Sequence, residues 1–146
     1  QTYDKKPEMS AREVTRVFIK MIDEQKFDFA ILNFANCDMV GHTGIIEAAI
    51  QAVEVVDESV GKVDSKVLEK GGVCMITSDH GNAENMIDED GGPDTAHTTE
   101  LVPLIVTRNA TLADGCALCD VAPTVLKFMN IPAPAEMTGR SIVIDP

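Results

Sequence analysis

One stretch, Ile45 to Thr77, constrains this chain more than any other. Ile45, Ala49, Ala52, Val53, Val56, Val60, Val63 and Val67 recur at three- and four-residue intervals, which is one face of a long helix. Gly71-Gly72 ends that pattern, and the apolar run Val73 to Thr77 follows at once as a buried strand. Upstream, Phe27 to Phe34 is a second apolar run, carrying one charge at Asp28, and also reads as a buried strand. A strand, a long helix and another strand make a crossover unit. The expectation is therefore α/β, with a mostly parallel sheet flanked by helices.

The remaining elements extend that frame. Ser10 and Glu13 form a capping-box pair ahead of a helix over about Ala11 to Glu24, with Val14, Val17, Phe18, Met21 and Ile22 on one face. Ala35 to Gly44 reads as a polar, glycine-containing loop, and Ser78 to Thr99 as a long acidic one. Leu101 to Thr107 is a third strand, which Pro103 confines to an edge or a bulge. Asp120 is placed to cap a short helix through Met129, and Ile142 to Ile144 to form a last strand. The chain has 146 residues, the size of one domain.

Twelve Lys and Arg stand against 24 Asp and Glu, a net charge of −12. So acidic a surface repels phosphate backbones and anionic lipids, which argues against nucleic-acid and membrane partners. No segment is long and apolar enough to cross a bilayer, and the first residues lack a signal-peptide core, so a cytoplasmic location is expected. The four cysteines, Cys37, Cys74, Cys116 and Cys119, include one C-x-x-C pair without a second to complete a zinc knuckle. They read as structural or incidental thiols.

The chemistry gathers after the strands. Asp38 and His42 follow the first strand, Asp79 and His80 follow the second, and His97 precedes the third. These are the chain's only histidines. A single Asp–His pair is better explained as a helix cap or a hydrogen-bonded pair. Two such pairs and a third histidine, His97, all near strand ends where α/β sites form, point instead to metal. Mixed imidazole and carboxylate donors suit Mn²⁺, Zn²⁺ or iron rather than Ca²⁺. The inventory is about that of two hydrolytic metals acting on a phosphoryl group, and bound cations would offset part of the negative charge.

Three segments, Asn33 to Gly44, Thr77 to Glu84 and Ala96 to Thr99, closely resemble the cofactor-independent phosphoglycerate mutases of the alkaline phosphatase superfamily. Lys6 to Ala11, Asp120 to Thr124 and Glu136 to Ser141 extend the resemblance along essentially the whole chain. One departure is Cys37, where many members are expected to carry proline. The resemblance implies part of an alkaline-phosphatase-like domain, two Mn²⁺ ions with Zn²⁺ or Co²⁺ as substitutes, and a phosphoserine intermediate in the interconversion of 3- and 2-phosphoglycerate. It assigns Asp38, His42 and His97 to one metal, and Asp79 and His80 to the other.

The resemblance also implies that the chain corresponds to the C-terminal part of a monomeric enzyme more than three times its length. The nucleophilic serine, a further aspartate and the cationic clamp for the small phosphorylated substrate would lie outside it, so none of its own residues is expected to be the nucleophile. Ser78, beside Asp79, reads as a strand-end hydroxyl. Two other readings stay open: a phosphatase or phosphopentomutase of the same superfamily, and a non-catalytic metal-binding module.

Overall fold

The computed structural model describes residues 2–144, which divide into two compact units. The first comprises residues up to Gly72 together with His80–Val102, and the second comprises Val73–Asp79 and the residues from Pro103 onward. The mixture of helices and small sheets is that of an α/β protein, as the sequence led us to expect.

In the first unit, helix α1 spans Ala11–Asp23, α2 spans Asn36–Gly41 and α3 spans Ile46–Glu69. Helices α1 and α2 both pack against α3. Small side chains explain the close approach of α2. Ala48, Ala49 and Ala52 of α3 meet Val40 of α2 and Met86 of the long loop in one buried cluster, with Val40 and Ala52 fully covered. Asn36 is also buried, and its side-chain amide donates to the Pro7 carbonyl at 2.7 Å, pinning the start of α2. Against α1, the Phe27 ring stacks on Phe18 with centroids 5.6 Å apart.

Several local expectations change here. Phe27 to Phe34 forms no strand among the described residues, and Ile31 is 85% exposed. An apolar run marks a segment fit for burial on both faces, but a strand also needs neighbours to complete its ladder. Ala35 to Gly44, expected as a loop, contains helix α2. Ser10 makes no side-chain cap, and the entry to α1 is closed by backbone bonds from Ala11 to Glu8 and from Val14 to Ser10.

The second unit holds strands β1 (Met75–Thr77), β2 (Leu104–Val106), β3 (Thr111–Leu112) and β4 (Val143–Ile144), with helix α4 at Val121–Phe128. β1 pairs with β2, Ile76 opposite Ile105, and β3 pairs with β4. Both ladders are antiparallel, so the described pairings differ from the mostly parallel sheet expected. For β1 and β2 the cause is the return path: the segment between them contains no crossover helix, and a chain that doubles back pairs antiparallel.

Asp120 closes the tail of this unit rather than capping α4. Its two carboxylate oxygens accept from the Ala117 and Arg140 backbone N–H groups at 3.0 and 2.8 Å. The Arg140 N–H, and after it that of Ala117, hold the carboxyl below its ordinary value. Its contribution to stability is therefore present above the usual carboxylate range and is lost as pH falls through the lowered value. Thr124, fully buried, donates to the Asp120 carbonyl and accepts from the Ile142 N–H at 3.1 Å. All four cysteines are free thiols.

Candidate metal centre

The first unit brings Asp38, His42 and His97 together. Asp38 lies on α2 and His42 is the residue that ends it, so the pair is one helical turn apart and faces the same way. The burial of Val40 between them fixes that face outward.

His97 arrives by a different route. The loop after His80 doubles back through an isolated bridge between Ile87 and Pro93 and a second between Gly81 and Thr98. Within it the Asp94 N–H donates to the Met86 carbonyl, and the Thr98 N–H to the Gly81 carbonyl, each at 2.9 Å. Gly44 lets this loop lie against the turn after α2. Its φ is +69°, and a Cβ there would stand 2.8 Å from Cβ of Pro93. The packing places the Thr95 carbonyl on His42 and the His97 ring beside it.

Three ligand atoms then form a nearly equilateral triangle. Oδ1 of Asp38 is 3.1 Å from Nε2 of His42 and 3.1 Å from Nε2 of His97, and the two nitrogens are 3.2 Å apart. An ion holding such atoms at about 2.1 Å spaces its neighbouring ligands at about 3.0 Å in an octahedron and about 3.4 Å in a tetrahedron. The triangle falls between those values. The tautomer also suits a ligand: Nδ1 of His42 is 2.6 Å from the Thr95 carbonyl and must carry its proton there, leaving the Nε2 lone pair directed at the triangle. The residues present thus fit a divalent ion.

His80 stands at the margin. Its ring stacks on His97 with centroids 3.8 Å apart, and its Nε2 is 4.0 Å from Oδ1 of Asp38. Asp79 is exposed and belongs to the second unit. Of the five expected ligands, the first unit gathers Asp38, His42 and His97 and sets His80 beside them.

Two supporting residues were not singled out by sequence reasoning. Glu84 accepts from the Asn82 N–H at 2.7 Å and from the Thr98 hydroxyl, and that hydroxyl holds its carboxyl below the ordinary range. Asn82 is buried behind Asp38 and His42. Both lie in the stretch Thr77 to Glu84 that carries the resemblance, where the reading fixes on the adjacent Asp79–His80 pair. Cys37, half-buried in α2, has its thiol pushed up by desolvation and stays protonated, a poor competitor for the ion.

Comparison with known proteins gives this donor set its context. The sequence matches the Metalloenzyme superfamily over residues 1–133. The chain belongs to that superfamily. Among its relatives, the 2,3-bisphosphoglycerate-independent phosphoglycerate mutase of Clostridium botulinum (strain Langeland) is 56% identical over 145 residues, covering 97% of this chain and 28% of that protein. The corresponding mutase 2 of Methanosarcina barkeri is 54% identical, covering 98% and 28%. A crystal structure of Leishmania mexicana phosphoglycerate mutase at low cobalt concentration superposes with a TM-score of 0.90 at 28% identity, covering 100% of this chain and 30% of that one. The chain thus spans under a third of the length of these mutases. Superfamily membership and the Asp38–His42–His97 donors agree on a divalent metal as the cofactor class.

Proposed function

We propose that residues 1–146 are the C-terminal, metal-holding part of a 2,3-bisphosphoglycerate-independent phosphoglycerate mutase, which interconverts 3- and 2-phosphoglycerate through a phosphoserine. The observation that carries this reading is the triangle of Asp38 Oδ1, His42 Nε2 and His97 Nε2 in a chain 54–56% identical to enzymes of that name.

In this reading Asp38, His42 and His97 hold one Mn²⁺, and Asp79 and His80 contribute to a second. The metals supply positive charge against the negative charge that builds on a transferring phosphoryl group. Asp38 brings the anionic donor that favours a divalent ion. The Thr95 carbonyl keeps the His42 proton on Nδ1, and the Glu84–Thr98 bond holds the loop that delivers His97. The serine that accepts the phosphoryl group and the cations that clamp the substrate belong to the rest of the enzyme, a soluble monomer of the cytoplasm. That division accounts for the acidity of this part, with its net charge of −12.

The full-length protein carrying these residues is expected to convert 3-phosphoglycerate without added 2,3-bisphosphoglycerate, to stop on complete chelation, and to recover with Mn²⁺. A coupled assay reads all three. Turnover that survives chelation, or that needs the bisphosphate, contradicts the reading.

A further inference from the structure

The amide of Asn82 lies where the two ligand-bearing segments meet. Asn82 is 4% exposed, with Nδ2 3.4 Å from Oδ1 of Asp38 and 3.3 Å from Nδ1 of His42. The chemistry of the neighbours sets which way the amide faces. An ionised Asp38 only accepts, so it requires the NH₂ end. Nδ1 of His42 already gives its proton to the Thr95 carbonyl, so it takes nothing from Asn82 and is simply covered by it. The amide oxygen is left on the other side, buried and without a hydrogen-bond partner.

That oxygen faces Gly41. A Cβ on Gly41 would stand 2.0 Å from Oδ1 of Asn82 and 2.9 Å from its Cγ. The glycine is the last residue of α2 and its φ is not positive, so backbone conformation does not call for glycine there. What requires it is the space that the amide fills. A buried amide oxygen without a partner is held only where the rest of the residue is anchored. Here the Asn82 N–H is bound to Glu84, whose other carboxylate oxygen takes the hydroxyl of Thr98, the neighbour of His97. A continuous set of contacts thus runs from His97 through Thr98, Glu84 and Asn82 to Asp38 and His42.

We infer that Asn82 and Gly41 act as a pair: the missing side chain at 41 admits the Asn82 amide, and the amide positions Asp38 and His42 for the metal without touching the ion. The inference rests on the metal reading above. Outer partners of metal ligands typically contribute about 10- to 100-fold in affinity.

The test uses metal-free full-length protein, as wild type, Asn82→Ala, Gly41→Ala and the double variant. Mn²⁺ affinity is read by calorimetry, the ligand field by the visible spectrum at saturating Co²⁺, and Tm without metal. Asn82→Ala is expected to weaken Mn²⁺ binding about 10- to 100-fold and shift the Co²⁺ bands. Gly41→Ala should do the same, and the double variant should be no worse than either single one. Without metal, Gly41→Ala should lower Tm in the wild type but not in the Asn82→Ala background, because alanine is the better helix former once the amide is gone. Unchanged affinity and spectrum in Asn82→Ala overturn the inference, as do losses that multiply in the double variant. If the wild type takes up no metal, the metal reading fails. The Tm cycle then stands alone: a Gly41→Ala effect equal in both backgrounds ends the pairing too.

Discussion

Purified by itself, the 146-residue chain is expected to give no phosphoglycerate mutase turnover above the uncatalysed rate. In the proposed reading none of its five serines is the nucleophile. Ser59 is buried in α3, Ser65 donates to the Gly61 carbonyl one turn back, and Ser141 accepts from the Val143 N–H. Ser10 precedes α1, and Ser78 follows β1 at a position the family resemblance does not make a nucleophile. Loss of a nucleophile alone costs on the order of a millionfold in turnover, and the remaining groups recover little of it. The substrate clamp is expected outside the chain as well. A sensitive coupled assay on the correctly sized, pure chain checks this. Authentic turnover would mean that the nucleophile lies within residues 1–146 and that the proposed division of the enzyme is wrong.

The second large effect is expected at Asp38. Its Oδ1 stands within 4.0 Å of the Nε2 atoms of all three histidines and also meets the Asn82 amide. This oxygen is the centre of the cluster. In the full-length protein, Asp38→Ala should weaken the tighter Mn²⁺ event by more than the roughly 100-fold that loss of an outer partner costs. Turnover at fixed Mn²⁺ should fall with it. Asp38→Asn keeps the shape but loses the charge, and is expected to fall nearly as far. Equilibrium dialysis with Mn²⁺, together with the coupled assay, reads both quantities. Asp38→Ala protein that binds Mn²⁺ as the wild type does would remove Asp38 from the site.

The long helix and the residues that cluster as Asp38, His42 and His97 were legible because their signals are local. The eight-residue pattern from Ile45 to Val67 needed only helical periodicity, and α3 spans Ile46–Glu69. The α/β class followed from alternating elements, and the histidines from their scarcity. What depends on pairing was not legible. Phe27 to Phe34 has strand composition, yet a ladder requires a neighbour that no local pattern supplies. β3 is two residues long and exists through its bonds to β4.

Within the site, helix α2 was hidden by polar residues and Gly41. Its stability comes from Val40 packed on the alanines of α3 and from Asn36 bound to the Pro7 carbonyl, contacts made across the chain. The Thr95 carbonyl is a backbone group with no residue signature at all. Asn82 and Glu84 stood in view beside Asp79 and His80, but their roles depend on where Gly81 and Thr98 meet.

The central claim is that Asp38, His42 and His97 hold one ion while His80 serves a separate, less complete site. The most direct measurement is calorimetric titration of the metal-free 146-residue chain with Mn²⁺, alongside His97→Ala and His80→Ala. One tight event is predicted for the wild type, with a second that is weak or absent. His97→Ala should abolish the tight event and His80→Ala should leave it in place. A tight event that survives His97→Ala but disappears in His80→Ala, or two equally tight events in the wild type, would contradict the account.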